Sequence, residues 1–420
     1  MRPPRKFRDY PFPYHHELTL EIDSLSNLGV GVGRVTVPPA NEEDEQVDGQ
    51  WVVFVPFTLP GETVRVKIFR NDSNCSTADL IEVLTPSPDR VEPKCPLFGR
   101  CGGCQYQHLS YPKQLEWKRN QVADLAERLA GLSIPVLDPV PSPIEWNYRS
   151  KLTPHFAKPK DGSVGPIGFL ADGTRSRLID VPQCPIAMDA INTALPHIRK
   201  DTQSRASTYK KGATLLIRAH SEGVETNPRA VISEHLNGLE FHFLAGDFFQ
   251  NNPAILPSFV DYVANEAAQD GCTHLVDAYC GSGLFALSLS SRFEKVAGVE
   301  VSESSADFAR RNAELNHLPH VSILTASAEH IFEDITFPAD QTTLIIDPPR
   351  KGSTPGFIEQ LAKFGPQRVV YVSCNPATQM RDFKLMDEAG YVVEKLQPFD
   401  LFPQTRHLEC VATLTRKKTN

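Results

Sequence analysis

Cys374 stands in YVSCNPATQ, between the apolar run QRVVYVSC and an Asn-Pro turn that stops it. A cysteine in that place is a packing residue, a metal ligand, or a nucleophile presented at a strand end. The thiolate is the reactive form, and a free thiol with a pKa near ~8.5 needs a cation or backbone donors nearby to reach it at neutral pH. Glu409, in HLECVATL, puts a carboxylate where a terminal strand should carry an apolar residue. Partial burial raises the pKa of such a group toward the range that suits proton abstraction near pH 7. The alternative is an exposed carboxylate on an edge strand.

A second group of residues suits a nucleoside. In HLVDAYCGSGLFALSL a buried strand runs into a glycine turn and a helix start, with Gly281 and Gly283 giving the tight turn and a close backbone approach. The spacing is G-x-G, shorter than the full dinucleotide fingerprint. About twenty residues on, KVAGVEVS places Glu300 at the end of the next strand, where a carboxylate can hold two vicinal ribose hydroxyls.

The third group is a cysteine knot. Cys95, Cys101 and Cys104 have the spacing C-x5-C-x2-C, with Gly99, Gly102 and Gly103 letting the chain wrap tightly, and Cys184 in DVPQCPI is the best candidate for a fourth ligand. Four thiolates fit tetrahedral zinc or a cubane iron–sulfur cluster, and spacing does not decide between them. Cys75, Cys272, Cys280 and Cys410 lack such context and are expected to be packing residues.

The elements that must position these groups fall into three regions. At 420 residues the chain is too long for one ordinary core. Residues 12–86 hold short alternating segments, ELTLEID, WVVFVPF, ETVRVKIF and STADLIEVL, set apart by turns that include NLGVGVGR, and they predict a small β-barrel. The acidic stretch NEEDEQVDG between two of them reads as a solvated loop. Residues 87–245 carry the knot, a helix in YPKQLEWKRNQVADLAERLAGL ended by Gly131, and an irregular, strand-rich stretch. Residues 246–420 alternate helical and strand-like segments, with HLVDAYCG, KVAGVEVS, TLIIDPP, QRVVYVSC and HLECVATLT as strands, which predicts a mostly parallel sheet with helices on both faces.

The ordered set FFQNNP, DAYCGSG, GVE, IIDPPRKG, VSCNP and HLEC resembles the catalytic domain of the RNA uracil-5 methyltransferases, which use S-adenosylmethionine. The segment GVGVGR…FVPFTLPGETVRVKI looks like their TRAM barrel, and CPLFGRCGGCQYQH is similar to their iron–sulfur segment. The resemblance implies an α/β, Rossmann-like class I methyltransferase domain behind a small β-barrel and a central cluster-binding α+β region. It implies cofactor contacts from Gln250, Tyr279, Glu300 and Asp347, with Ser327 as a further adenosine contact. It makes Cys374 the nucleophile, Glu409 the base and the knot a [4Fe-4S] site. Where many members place a polar residue after CGSG, this chain has Leu284.

The chemistry stands on its own terms. Carbon 5 of uracil is a poor nucleophile toward a methylsulfonium until a thiolate adds at carbon 6, and a base must then remove the carbon 5 proton before the thiol leaves. A cytosine-5 methyltransferase shares the first step, but RNA enzymes of that class usually carry a second cysteine where this chain has Asp347-Pro348-Pro349. A non-catalytic RNA-binding module needs neither Cys374 nor Glu409. The net charge of −8 requires any RNA-binding face to be local, and WNYRSKLTPHFAKPK, TRSR, HIRK and YKK supply one by interleaving aromatics with Lys and Arg. The target uridine, in tRNA or rRNA, has to lie in a loop or be flipped out. No apolar run is long enough to span a membrane. The leader MRPPRKFRDYPFP lacks a signal-peptide core, so a cytoplasmic monomer is expected.

Overall fold

The computed structural model describes residues 7–37, 51–327 and 330–417. The stretch NEEDEQVDG and the first six residues of the leader lie outside them. Among the described residues no helix is long and apolar enough to cross a membrane. The chain divides into two compact units, one of residues 1–117, 170–176 and 404–406, the other of residues 118–169, 177–403 and 407–420.

In the first unit five strands close into a barrel in the order Glu17–Leu25, Gly31–Val35, Trp51–Val55, Cys75–Thr85, Thr63–Asn71. Alternate residues face its core, where Val53, Val55, Val64, Val66 and Ile68 are fully buried. Each such side chain contributes roughly 1.5–3 kcal/mol relative to exposure. The glycine-rich segment expected to be a turn does turn at residues 27–29, but from Gly31 on it is the second strand. A Cβ on Gly31 would sit 1.9 Å from Thr58 Oγ1, and one on Gly33 would sit 2.1 Å from Leu20 Cδ1. These glycines therefore serve close strand packing rather than a reversal.

The second unit is organised around a seven-stranded sheet. Its order is Val321–Thr325, Lys295–Glu300, His274–Asp277, Thr342–Ile346, Arg368–Ser373, Glu409–Arg416, Tyr391–Phe399. The first five strands are mutually parallel, and the last two pair antiparallel. Every residue of Thr342–Ile346 and Arg368–Ser373 is buried, as helices on both faces of a parallel sheet require. The sequence order jumps outward in both directions from His274–Asp277, so the carboxyl ends of the parallel strands open a crevice at that switch point.

The region between barrel and sheet is more regular than its sequence suggests. Asp189–Ser204 is a helix with Pro196 in its interior. The helix Tyr111–Leu125 runs into a π-turn, Ala126–Ala130, that ends at Gly131 with φ 68°.

Candidate active site

Six residues or turns from consecutive elements gather at the carboxyl ends of the parallel strands. Asp277 ends the first strand and is fully buried, with Oδ2 accepting from the Ala286 amide at 2.9 Å. Its other oxygen, Oδ1, has no hydrogen-bond partner. The turn beyond it carries Tyr279, half-buried against Phe357, then Gly281 at φ 54° and Gly283 at φ 97°. A Cβ on Gly281 would meet nothing within 4 Å, so the backbone there faces open space. Leu284 packs on the apolar core beneath, which accounts for an apolar residue at that position.

Glu300 ends the neighbouring strand. Its Oε2 accepts from the Gly281 amide at 3.0 Å and its Oε1 from the Ser302 amide at 2.7 Å, so the carboxylate is aimed along the glycine turn. Ser327 follows Val321–Thr325 and is half-buried. Gln250 is buried in the segment that precedes the sheet, next to Phe249, which stacks on Phe243 at 4.4 Å.

Asp347 follows Thr342–Ile346, and Cys374 follows Arg368–Ser373. The register of the adjacent antiparallel strand pairs Ser373 with Cys410, so one residue further on Cys374 stands opposite Glu409. Glu409 is 4% exposed. Cys374 is held in place by the turn around it. Asn375 accepts no side-chain cap, but its Nδ2 donates to the Arg350 carbonyl at 2.9 Å, and Thr378 Oγ1 donates to the same carbonyl at 3.3 Å.

Electrostatically the site is rich in protons. Burial pushes the Cys374 thiol up to about 12, helped by the carboxyls of Glu409 and Asp347 and opposed by the Arg350 guanidinium, which hydrogen-bonds to it. Burial and then Asp347 push Glu409 well above the carboxylate range, and Arg350 again opposes. Asp347 and Asp277 are each raised to about 7, mainly by burial, with Asp277 adding to the rise of Asp347. Cys280 and Cys410 are buried thiols, also raised, and lie within the core.

Two members of this set were not singled out from sequence. Arg350 sits three residues after Asp347 in the same DPPR turn, and its signal was a cation, with Lys351 beside it, just past a strand end. Asp277 follows the buried apolar pair Leu275-Val276 in HLVD, and that interruption was its signal.

Of the knot, Cys95, Cys101 and Cys104 belong to the first unit and Cys184 to the second. None of the nine cysteines is in a disulfide, and these four are half-buried. Gly99 has φ 77°, and the Cys101 amide donates to the Leu97 carbonyl at 2.9 Å, which curls the chain between the first two thiols. Burial raises the Cys101 thiol, and Cys95 adds to the rise, so these two sulfurs feel each other. Asn192 clamps the loop of Cys184, accepting from its amide and donating to its carbonyl, both at 2.9 Å. Among the described residues no three His, Cys, Asp or Glu side chains are grouped closely enough to hold a metal ion.

The chain has relatives among known proteins. Residues 213–417 match the family described as tRNA (Uracil-5-)-methyltransferase, and residues 16–81 match the TRAM domain. The chain is 42% identical over 430 residues to the tRNA (uracil(54)-C(5))-methyltransferase of Schizosaccharomyces pombe, covering 97% of this chain and 79% of that protein. It is 33% identical to the enzyme of the same name from Saccharomyces cerevisiae, covering 96% and 74%. Its fold is similar to the crystal structure of Pyrococcus abyssi tRNA (uracil-54, C5)-methyltransferase in complex with S-adenosyl-L-homocysteine. That likeness has a TM-score of 0.69 at 24% identity and covers 95% of this chain and all of the other. A chain whose strand ends bring a cysteine opposite a buried glutamate, and which shares this much sequence with those enzymes, belongs to the RNA uracil-5 methyltransferase family.

Proposed function

We propose that this protein methylates carbon 5 of a uridine in tRNA, the uridine at position 54 named for its relatives, with Cys374 as nucleophile and Glu409 as base. The observation that carries the reading is the register that sets Cys374 opposite Glu409, with Arg350 on the thiol. The partnerless Oδ1 of Asp277 and the open face of Gly281 fit a cofactor at the strand ends. Gln250, Tyr279, Gly281, Gly283, Glu300, Ser327 and Asp347 are the residues that would hold it. S-adenosylmethionine bound there supplies an electrophilic methyl group.

The chain's own residues do the rest. Arg350 favours the thiolate of Cys374, which adds to carbon 6 of the uracil and moves the electron pair toward carbon 5. Carbon 5 takes the methyl group, Glu409 then removes the proton from that carbon, and the carbon–sulfur bond breaks to return the thiolate. Burial suits Glu409 to the last step, because a carboxylate raised in pKa is a stronger base once ionised.

The test uses tRNA transcribed with 5-fluorouridine. Fluorine at carbon 5 cannot leave as a proton does, so the protein should form a denaturant-stable adduct through Cys374 in the presence of S-adenosylmethionine. Unmodified tRNA should gain 5-methyluridine by nucleoside mass spectrometry. Turnover without an adduct, or methylation of cytidine, would defeat the reading.

The same reading places a [4Fe-4S] cluster on Cys95, Cys101, Cys104 and Cys184. It rests on the spacing and on the clamped Cys184 loop rather than on a formed cage. Protein purified without oxygen should be brown, with ~4 irons per chain from a four-thiolate cubane, and Cys184→Ser should bleach it. Stoichiometric zinc in a colourless protein would overturn it. Nine cysteines outside disulfides fit a reducing, cytoplasmic setting.

A further inference from the structure

Outside the catalytic crevice, the second unit holds a cleft of about 700 Å³ lined in part by Lys151, Ala194, His197, Thr226 and Gly246. That is within the ~300–1,000 Å³ typical of ligand pockets. Its chemistry is unusual for a chain with a net charge of −8. Lys151 and Arg218 are directly opposite each other in an antiparallel pair, so their side chains share one face of the sheet.

Both cations converge on one short stretch of backbone. Lys151 Nζ donates to the carbonyls of Gly246 at 2.8 Å and Asp247 at 2.9 Å, and Arg218 Nη1 donates to the Asp247 carbonyl at 3.0 Å. Arg218 is fully buried, with its guanidinium 4.8 Å above the Phe243 ring, and its Nε and Nη2 have no hydrogen-bond partner. Burial lowers the Lys151 ammonium to about 8, with Arg218 and Arg149 pushing the same way and Asp247 opposing. Glu234 and Asp247 act on Arg218 through space against a larger burial effect.

Two like charges placed opposite each other, one of them buried, cost stability unless something compensates them. Carbonyl dipoles compensate only in part. Lys151 keeps a third N–H, since an ammonium has three donors and two are used. Lys151 lines a cleft whose wall also carries His197, Arg205, Thr226 and the carboxylate of Asp201, and Arg218 is buried behind that wall rather than part of it. An anion with several acceptor oxygens completes this arrangement, and for this protein the anion is carried by RNA.

We propose that this cleft seats a backbone phosphate of the RNA substrate at Lys151, with Arg218 supplying the second charge. This rests on the tRNA-methyltransferase reading above. The seat has a further consequence. Asp247, held by both cations, lies three residues before Gln250, so an RNA phosphate at Lys151 would bear on the segment that carries a cofactor contact.

The test measures tRNA binding by filter retention across a salt series, for wild type, Lys151→Met and Ala194→Glu. The second variant adds a carboxylate to the cleft wall without touching the bonds to Gly246 and Asp247. Each should weaken tRNA binding about tenfold, the worth of a charge-assisted hydrogen bond. Lys151→Met should also flatten the slope of log affinity against log salt by about 0.7–0.9. Wild-type affinity and slope in both folded variants would overturn the seat. So would a Lys151→Met protein that loses affinity for S-adenosylmethionine while its RNA slope holds, for Lys151 would then only pin the 246–247 backbone. Formation of 5-methyluridine by wild type, measured alongside, separates the two readings. If wild type binds tRNA with these responses but makes none, the proposed activity falls and the seat stands. If it makes 5-methyluridine and the variants bind tRNA unchanged, the seat falls alone.

Discussion

Arg350 is the cation that lowers the Cys374 thiol, and replacing it isolates what that charge contributes. Arg350→Met removes the guanidinium but keeps the Arg350 carbonyl, which accepts from Asn375 and Thr378, so the turn around Cys374 should persist. A hydrogen bond to a charged group contributes about 1.5–3 kcal/mol, and 1.36 kcal/mol corresponds to one tenfold step in ionisation. Arg350 is exposed, and solvent screening puts its value at the lower end, so the thiolate fraction should fall about tenfold. Wild type starts from a low base. A thiol raised from 9.0 to about 12 carries roughly a thousandth of the thiolate of an unperturbed one at pH 8. Carboxamidomethylation of Cys374, followed by peptide mass spectrometry between pH 7 and 10 without RNA or cofactor, reads this directly. Both proteins should show rates that keep rising across the range, with Arg350→Met about tenfold slower at every pH. Rates within twofold of each other would show that the guanidinium does not tune the thiol.

Cys374→Ala should abolish methyl transfer while S-adenosylmethionine still binds by calorimetry; turnover in the folded variant would remove the nucleophile assignment. Glu409→Gln should let addition and methyl transfer proceed but stall proton removal, so a methylated RNA–protein adduct should accumulate to about one per site on denaturing gels. Wild-type turnover with no adduct would make Glu409 a structural residue. Lys118 and Asp400 form an ion pair at 2.6 Å with both side chains fully buried, and Lys118 also donates to the Phe402 carbonyl at 3.2 Å. Lys118→Met should cost about 3–5 kcal/mol in urea denaturation, because it strands a buried carboxylate; a loss below about 1 kcal/mol would show that Asp400 finds water or another partner.

The sheet was legible because its strands are short apolar runs that stop at glycine, proline or an acid, and those stops are the site. Glu300, Asp347 and Cys374 each follow or end such a run, so strand-end position and chemical type pointed the same way. Glu409 was visible for the opposite reason, a charge at a place that should be apolar. What sequence hid was set by partners distant in the chain. Gly31 and Gly33 read as a turn because the need for a missing Cβ comes from Thr58 and Leu20. The helix Asp189–Ser204 was obscured by Pro196, whose missing N–H would have bonded to Asn192, a residue already engaged with Cys184. Lys151 and Arg218 are 67 residues apart and become a pair only through strand register.

The raised acids imply an order to catalysis. Addition needs Cys374 as thiolate and proton removal needs Glu409 as carboxylate, yet burial favours the neutral form of both in the free protein. Asp277 and Asp347, each raised to about 7, mark the strand ends where a cationic cofactor would lie. A nearby positive charge favours the ionised form of a carboxyl group, so a sulfonium at the strand ends exchanges for protons. Binding of S-adenosylmethionine at pH 6, where both acids are mostly protonated, should therefore release protons. The release should shrink above pH 7, where the acids have already ionised in the free protein. S-adenosylhomocysteine lacks the sulfonium charge and should release fewer protons at every pH. Calorimetry in buffers of different ionisation enthalpy measures the number, and Asp277→Asn should reduce it without touching Cys374 or Glu409. Equal release with the two ligands would mean that the acids respond to shape and water exclusion rather than to the cofactor's charge, and the order of events would have to be set by the RNA instead.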